Sequence, residues 1–549
     1  MRKRILRLFL GTLGSLILLI VVLMAYVHLV SRVKEPSIVS SVFEKEEIRK
    51  RGTLKQLSNN WFRKSENGWY ELYVEGEPFD RGVAIGRLTD SLIQYQEEVF
   101  QNQIRTIIPS SFKQQALRYL IGWFNRDLDK NIPEEFKLEI YGSSLSSSHR
   151  YDDVASPYQR SLNYHAAHDI GHAVQNMSLV GCTSFATWGS SSEDSTLIIG
   201  RNFDFFVDEN FAKNKIVAFY KPAKGYAFAM ITFPGMTGAL SAMNSEGLTI
   251  TLNAAKSEVP TSSATPVSIL AREILQYAST ISEAFEIAKK KKTFVAETFL
   301  IGSAKDGRAA VIEKSTDKTG IYESANNFLV CTNHFQSPEL SGSELNQEFM
   351  KTSSSVYRFE RVRELLDRNG KNSIAKTASV LRDRKGNQDS DIGLGNEKSI
   401  NQLIAHHGII FQPQKKRFWV SASRWVLGEF VCYDLDKVFR ETDFENGDHE
   451  ISEKEFAIDE DLFLKTNEYK SFLKFSPYRY PFADKKNLNP DSVVKWNSRS
   501  YFAYMLAGDF YKQNGDCVRA SKNYSAGLDK EVATLQERKY MERNKDACK

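Results

Sequence analysis

A run of paired apolar segments between residues 182 and 254 constrains the fold more than any other feature of the sequence. Stretches such as "TLIIGRNFDFF", "KIVAFY", "YAFAMITF" and "LTITLNAA" are rich in β-branched and aromatic residues, and short turns separate them. Such a meander builds an antiparallel sheet. Two amphipathic helices, "VSILAREILQYAS" and "ISEAFEIAKKKK", and further hairpins follow, up to about Leu435. The order of elements predicts an α+β fold with sheets inside and helix pairs outside.

The amino-terminal region carries an apolar segment long enough to span a membrane. Leu8–Val30 has 23 residues without a formal charge, and about 20 are needed to cross a bilayer as a helix. A cleaved signal peptide would have an apolar region of about 7–15 residues and a small-x-small cleavage site, and neither is evident. We interpret the segment as an uncleaved signal anchor. The basic residues before it favour a cytoplasmic amino terminus and a periplasmic or extracellular position for the rest of the chain.

The charge of the chain argues against nucleic acid as a partner. The formal net charge is +5, but six basic residues precede the first acidic one, Glu35, and from Glu35 onward the chain has 67 basic and 68 acidic residues. A nucleic-acid-binding surface needs a clustered basic face. The excess of positive charge therefore belongs to the flanks of the anchor.

Changes in composition predict five segments along the chain. They are the basic stub and anchor (1–34), a mainly helical segment (35–181), the sheet-rich region (182–435), a charged linker or irregular extension (436–490) and a helical tail (491–549). Within the tail, six residues have the spacing of one tetratricopeptide helix–turn–helix: Tyr504, Gly508, Tyr511, Gly515, Ala520 and Tyr524. A single repeat cannot bury its own face, so we expect it to pack on the main domain or to meet a protein partner.

One cysteine stands directly after a glycine, in "LVGCTSFATWG". A thiol nucleophile needs a base, and a histidine distant in sequence can supply one. Cleavage of the Gly181–Cys182 bond would supply another, because the freed α-amino group, with a pKa of roughly 7.7–8.0, lies next to its own thiol. Glycine suits such self-cleavage because it lacks a Cβ and leaves its carbonyl open to the sulfur. The alternative is that Cys182 is a buried structural cysteine without a catalytic role.

The remaining cysteines leave the pairing open. The chain has five cysteines, an odd number, which in an oxidising compartment indicates at least one unpaired thiol. Cys331 and Cys432 lie in apolar strands and are either core residues or a disulfide. Cys517 and Cys548 can staple the tail, although the sequence does not establish that bond.

The order of several motifs resembles that of the N-terminal-nucleophile (Ntn) hydrolases. "GCTS" is followed after a hairpin by "GRNFDFF", and then by "TLNAA", "CTNHF" and "SSSVYRFER". The chain is most similar to the acyl-coenzyme A:6-aminopenicillanic acid acyltransferase family, from about Tyr73 to about Leu435, with choloylglycine hydrolases and acid ceramidases as cousins. The resemblance implies an αββα sandwich that matures by cleavage just before the nucleophile. The segment 35–181 would be its light chain.

Three residues around "GCTS" and "RNFD" match the family's nucleophile region. Cys182 matches the nucleophile, and Asp204 matches the carboxylate that orients the new amino group and tunes its proton equilibrium. Arg201 matches the guanidinium beside the thiol in the bile-salt enzymes, where a cation favours thiolate. The acyltransferase itself differs at that position.

Three further residues match the surroundings of the nucleophile. Asn333 matches the side-chain donor of the oxyanion hole, and Asn253 is placed to supply the backbone N–H partner. Arg358 matches a second arginine that buttresses the site. The resemblance implies cleavage of the linear amide bond of an N-acyl compound through a thioester, with water or a second amine as acceptor and without a cofactor.

A group of three histidines gives a rival interpretation, a metal-dependent enzyme. His165, His168 and His172 share one helical face, and such a face can bind zinc, although the HExxH pattern is absent. This leaves open a metal-dependent hydrolase; a third interpretation is a non-catalytic, membrane-anchored interaction protein.

Two other motifs carry weaker signals. His406 and His407 are adjacent in a predicted strand and would point to opposite faces, which makes a poor chelate. "NMS" at Asn176 matches a glycosylation triplet.

Overall fold

Two β-sheets form the centre of the chain. The computed structural model describes residues 2–38, 40–174, 181–205, 209–256, 263–441, 448–480, 485 and 488–548, with the backbone alone for residues 2, 3, 167–174 and 441. The strands are β1 (Arg49–Arg51), β2 (Leu54–Leu57), β3 (Asn60–Lys64), β4 (Tyr70–Gly76), β5 (Thr183–Thr187), β6 (Ile198–Asp204), β7 (Ile216–Pro222), β8 (Phe228–Thr232), β9 (Ser241–Asn244), β10 (Leu248–Ala254), β11 (Glu297–Ser303), β12 (Arg308–Lys314), β13 (Thr319–Tyr322), β14 (Phe328–Cys331), β15 (Ala405–Gln412), β16 (Arg417–Ser421) and β17 (Phe430–Asp434).

Helices precede, interrupt and follow these strands. They are α1 (Arg2–Val30), α2 (Pro78–Leu88), α3 (Asp90–Ile107), α4 (Ser111–Phe124), α5 (Glu134–Ser144), α6 (Pro157–Val174), α7 (Val267–Tyr277), α8 (Ile281–Lys290), α9 (Glu344–Thr352), α10 (Ser355–Asn369), α11 (Ile374–Leu381), α12 (Leu435–Glu441), α13 (Asn467–Phe475), α14 (Pro490–Trp496), α15 (Tyr501–Gln513), α16 (Cys517–Leu528) and α17 (Leu535–Asp546).

The strands form a large and a small sheet. The large sheet has the order β1-β2-β3-β4-β7-β8-β9-β10-β11-β12-β13, and the small sheet has the order β14-β5-β6-β15-β16-β17. Neighbouring strands are antiparallel except β4 and β7, which run parallel. This parallel pair joins the chain before Cys182 to the chain after it within one sheet.

Both faces of the large sheet are apolar, and alternate residues of its strands pack into different cores. In β7, Ile216, Ala218 and Tyr220 belong to one core, whereas Val217 and Phe219 belong to another. Successive side chains of a strand point to opposite faces. A strand buried on both faces therefore reads as a continuous apolar run, as this segment of the sequence does.

The helices and the two sheets form four layers, with a core between each pair of neighbouring layers. The core between the sheets joins Phe219 of the large sheet to Ile409 of the small one. On its other face the large sheet packs on α2 and α7, and the small sheet packs on α10 and α11. The order helix, sheet, sheet, helix is the layered α+β arrangement that the resemblance implied.

The segment before Cys182 contributes more strand than its sequence indicated. The sequence predicted a mainly helical segment over 35–181, whereas β4 precedes its first helix, α2. The structure adds β1, β2 and β3, which extend the large sheet at its edge. These strands have only three to five residues each, and they lie in the polar stretch "RKRGTLKQLSNNWFRK", where alternation is weak.

The amino-terminal helix α1 is the candidate membrane span among the described residues. Arg4–Val30 is long and apolar enough to cross a bilayer, with a mean hydropathy of 2.7 over its best window, none of which is buried. Its end packs against α4, where the rings of Tyr26 and Trp123 lie 6.1 Å apart. Tyrosine and tryptophan are typical of membrane–water interfaces.

The carboxy-terminal hairpin of α15 and α16 has a small core of its own, and α15 also packs on the main domain, as expected, where Ala503 and Leu506 share a core with Leu403. α15 and α16 approach closely at Gly508, where a Cβ would lie 2.7 Å from the ring of Tyr524. Gly515, in the turn, has φ +76°, which glycine adopts without strain. The Sγ atoms of Cys517 and Cys548 lie 2.8 Å apart as free thiols. The likeness to a tetratricopeptide repeat and the disulfide both stay predictions.

Candidate active site

Cys182 lies immediately before β5, beside the end of β6. The two strands are antiparallel, with Thr183 opposite Asn202, so the Gly181–Cys182 bond lies next to Asp204. The N–H of Gly181 donates to the backbone oxygen of Asp204 at 3.2 Å, and the Cys182 thiol lies 4.0 Å from the same oxygen. Cys182 is fully buried. Pairing of β5 with β6 thus joins the "GCTS" and "RNFD" motifs.

Arg201, in β6, places its guanidinium beside the thiol. Its Nη2 lies 3.8 Å from Sγ of Cys182. Its N–H groups also donate to the carbonyl oxygens of Leu240 and Leu252 and to the hydroxyl of Ser241. Burial raises the pKa of the Cys182 thiol to about 11, although the Arg201 cation lowers it. In the uncut chain, burial therefore outweighs the cation, and the thiol is protonated at neutral pH.

Asp204 is a buried acid without a donor. Both of its carboxyl oxygens are buried, and neither has a hydrogen-bond partner among the described residues. Burial raises the pKa of Asp204 to about 7, against the charges of Arg358, Arg201 and Arg479, which lower it. A buried charge without a hydrogen-bond donor is costly. The carboxyl group is therefore readily protonated, and it is near enough to the Cys182 thiol for its charge to raise the pKa of that thiol.

Arg358, on α10, joins Cys182 to Asn333. Its Nη1 donates to the backbone oxygen of Cys182 at 2.7 Å, and its Nη2 donates to Oδ1 of Asn333, also at 2.7 Å. The amide of Asn333, just after β14, donates in turn to the backbone oxygen of Ala254 at 2.9 Å. Arg358 is thus in contact with the nucleophile's residue and fixes the orientation of the Asn333 amide.

Asn253, in β10, uses its side chain to join the two sheets. Its Nδ2 donates to the backbone oxygens of Cys331 (2.9 Å) and Thr332 (3.1 Å), and its Oδ1 accepts from the hydroxyl of Ser184 at 2.9 Å. These bonds hold β10 beside the start of the small sheet. The predicted role of Asn253 concerns its backbone N–H, and it stays a prediction.

Comparison with known sequences finds a family similar to the central part of the chain. Residues 191–424 match the model of the family described as acyl-coenzyme A:6-aminopenicillanic acid acyl-transferase. After this match, residues 191–424 are called the acyl-transferase domain. Arg201, Asp204, Asn253, Asn333 and Arg358 lie within the acyl-transferase domain, whereas Gly181 and Cys182 precede the matched span. The nucleophile assignment therefore depends on the local geometry and not on the family match.

Individual relatives of the acyl-transferase domain are distant. An uncharacterised protein of Archaeoglobus fulgidus is 27% identical over 277 residues, which cover 46% of this chain and 45% of that protein. The chain thus spans under half the length of this relative.

Solved structures similar to the chain are equally distant. An N-acylethanolamine-hydrolyzing acid amidase orthologue from Caenorhabditis elegans is 18% identical (TM-score 0.31; 42% of this chain, 93% of the other). Penicillin V acylase from Agrobacterium tumefaciens is 16% identical (0.32; 47% and 87%). A conjugated bile acid hydrolase from Clostridium perfringens is 13% identical (0.31; 50% and 96%).

The acyl-transferase domain also brings Gln402 to the site, which the sequence did not indicate. Its Nε2 donates to the carbonyl oxygen of Gly181 at 2.8 Å. A lone glutamine in a loop carries no signal of its own, and 221 positions separate it from Gly181. Gln402 would have been predictable only from the pairing of β15 with β6, which brings the residues just before β15 close to the end of β6.

A buried polar chain behind Arg201 corrects the expectation for His406 and His407. A register shift in β15 between Ala405 and His407 turns both rings to one side, with Nδ1 atoms 2.8 Å apart. The Ser241 hydroxyl, which accepts from Arg201, shares a hydrogen bond with Nε2 of His407 at 2.7 Å. Burial lowers the pKa of both histidines well below the usual value. Neutral imidazoles therefore extend the hydrogen bonding of Arg201.

His165 does not support the metal-site interpretation. Its Nδ1 donates to the backbone oxygen of Ser161 at 2.7 Å, and its Nε2 accepts from the N–H of Thr237 at 2.8 Å. Both ring nitrogens are therefore engaged in packing α6 on the acyl-transferase domain. The side chains of His168 and His172, like Asn176, lie outside the described residues. Within the described residues, no group of three or more His, Cys, Asp or Glu side chains is arranged to hold a metal ion.

Proposed function

We propose that the chain is a membrane-anchored, self-processing cysteine hydrolase or acyltransferase that acts on the linear amide bond of an N-acyl compound. The observation that carries the proposal is the buried carboxyl group of Asp204, which has no hydrogen-bond donor among the described residues and belongs to the residue whose backbone oxygen accepts from the N–H of Gly181. Cleavage of the Gly181–Cys182 bond would release an amino group at Cys182. This group would give Asp204 the donor it lacks and would provide the base for the thiol.

The neighbours of Cys182 support an acyl-transfer mechanism. The thiolate forms a bond to the amide carbon of the substrate, and the amide of Asn333 together with the N–H of Asn253 would receive the oxyanion. The C–N bond then breaks, and the amino group of Cys182 gives its proton to the leaving amine. Water, or a second amine, attacks the thioester and regenerates the thiol. The carboxylic acid or the new amide is the product, and no step requires a cofactor.

The surroundings of the nucleophile favour an apolar acyl group. Phe203 and Phe233 belong to the same core as Cys182, and Phe233 lies 4.3 Å from His406, centroid to centroid. A cavity of about 440 Å³ opens at the end of β6, and its lining combines aromatic residues such as Phe205 with polar and charged side chains such as Lys215. Small-molecule sites combine apolar walls with a few polar groups. The apolar residues packed around Cys182, together with a membrane anchor, would suit a lipid-like amide.

The segments on either side of the acyl-transferase domain bear on where the enzyme would act and on what it would bind. Helix α1 would hold the acyl-transferase domain at the extracytoplasmic face of a membrane. The hairpin of α15 and α16, with its tetratricopeptide-like spacing, is a candidate surface for a protein partner. On the first turn of α16, Val518 is 82% exposed.

Amino-terminal sequencing of the purified full-length protein tests the proposal. The protein, kept in detergent, is run on a denaturing gel, and each band is sequenced. Two fragments that separate between Gly181 and Cys182, and that are lost in Cys182→Ala, would support it. A chain that stays whole, or activity that survives Cys182→Ala, would contradict it.

A further inference from the structure

Gln402 binds the carbonyl oxygen of the bond that self-cleavage would break. Its amide is nearly fully buried, 2% exposed, and lies 2.8 Å from that oxygen of Gly181. A Cβ built on Gly181 would lie 2.5 Å from Nε2 of Gln402. The glycine before Cys182 is therefore needed for the close approach of this amide, a reason that adds to the open carbonyl expected from the sequence.

The loop that carries Gln402 is held on two sides. The Asn401 side chain donates to the backbone oxygen of Trp425 at 2.9 Å. On the other side, Arg479 donates to the backbone oxygen of Leu403 at 3.3 Å. Arg479 belongs to the extension beyond the acyl-transferase domain, so this extension helps to fix the loop. A donor held in place before reaction stabilises a developing charge without a reorganisation cost.

We propose that Gln402 is the oxyanion donor of self-cleavage at Gly181–Cys182; this inference rests on the proposed function. Sγ of Cys182 forms a bond to the carbonyl carbon of Gly181, and the carbonyl oxygen becomes an oxyanion that the Gln402 amide stabilises. The C–N bond then breaks, the thiol proton passes to the nitrogen of Cys182, and a thioester remains. Water adds to the thioester, the C–S bond breaks, and the new acid of Gly181 gives its proton to the amino group as the thiol re-forms.

This assignment separates the donors of the two reactions. The amide of Asn333 donates to the backbone oxygen of Ala254, whereas the amide of Gln402 donates to Gly181. Gln402 therefore serves the single cut that makes the enzyme, and Asn333 is the candidate donor for turnover. Losing one oxyanion donor typically lowers a rate by about 10²–10³.

Two substitutions of Gln402 in the full-length protein test the proposal. Mass spectrometry follows the appearance of the fragments after expression or refolding. Gln402→Leu removes the donor, and we expect cleavage to slow by about 10²–10³. Gln402→Glu keeps the size of the side chain; its protonated acid can donate, and its carboxylate would repel an oxyanion. Its cleavage rate relative to wild type should therefore fall as pH rises, which a purely structural role would not produce.

Gln412→Leu is the matched control. Gln412 is also buried, but its amide donates to Asp194 and Thr196, at the far end of β15. We expect this variant to cleave like wild type. If Gln402→Leu fails to fold, the pH profile of Gln402→Glu tests the role of Gln402. If both Gln402 variants are cleaved at the wild-type rate and with the wild-type pH profile, this inference is wrong but the proposed function is not. If the wild-type chain stays uncut, both are wrong.

Discussion

The guanidinium of Arg201 lies 3.8 Å from Sγ of Cys182, inside a site where burial nevertheless raises the pKa of the thiol to about 11. Since attack requires the thiolate, the rate of self-cleavage should rise about tenfold per pH unit between pH 7 and 10. Arg201→Met removes the cation that lowers this pKa, so its cleavage should be slower throughout that range. Fragment formation measured by mass spectrometry at each pH tests both statements.

Arg201→Lys is the control for this prediction. It keeps a positive charge near the thiol, and it should retain part of the cleavage rate that Arg201→Met loses, although a lysine cannot reproduce all the donors of the guanidinium. A cleavage rate independent of pH in wild type would show that thiolate formation does not limit the cut.

We expect a substitution of Asn333 to separate turnover from self-cleavage. Its amide is fixed by Arg358, which donates to its Oδ1 at 2.7 Å. Asn333→Ala should lower kcat for an N-acyl amide by about 10²–10³, with a much smaller change in KM, because the donor acts on the oxyanion. The fragments should still form. The measurement combines steady-state kinetics on a chromogenic N-acyl anilide series with a denaturing gel; an uncut Asn333→Ala chain would contradict the separation of the two donors.

Asp204 makes the uncut chain less stable as pH rises. Its ordinary pKa is 3.8, and burial raises the pKa in the folded chain to about 7. Between these values the folded chain holds a proton that the unfolded chain has lost, so stability falls by about 4 kcal/mol across the interval. In a Cys182→Ala background, which stays uncut, Asp204→Asn should flatten this fall. Thermal unfolding followed by circular dichroism at pH 4, 5.5 and 7 tests it; equal slopes in both proteins would refute it.

The parts of this fold that were predictable from sequence are those with a short-range signal. The strand β7 was evident because five successive apolar residues follow a turn, and both of its faces are buried. Arg201 and Asp204 share one strand, so a single motif contained them both. The helices α7 and α8 repeat apolar residues at helical spacing. In α8 the buried residues Ile281, Ala284 and Ala288 follow that spacing, whereas α7 is buried nearly all round.

The parts that escaped prediction depend on long-range pairing. Gln402 reaches Gly181 only because β15 pairs with β6. His406 and His407 contact each other because a bulge interrupts the period of two on which the sequence argument relied. The effect of burial on Cys182 was likewise invisible, since the sequence shows the neighbouring cation but not the depth of the site.

A buried ion network should keep the two fragments together after the cut. Glu139, on α5, accepts from Arg81 at 2.7 Å and from Arg272, on α7, at 3.2 Å, and all three side chains are fully buried. Burial raises the pKa of Glu139, but Arg272 and Arg81 outweigh it, so the net pKa lies below the usual value. Arg272 lies after position 182 and its two partners lie before it, so the network crosses between the fragments.

Glu139→Gln tests the network. The substitution leaves two buried arginines without a counter-charge and should destabilise the protein by about 3–5 kcal/mol. Glu134→Gln, at an exposed pair with Lys137, should cost less than about 1 kcal/mol. The stability that Glu139 provides should be present at neutral pH and lost as pH falls below its lowered pKa. Urea unfolding and size-exclusion chromatography of the cut protein measure both effects, and fragments of Glu139→Gln that stay as stable as wild type would refute the network's role.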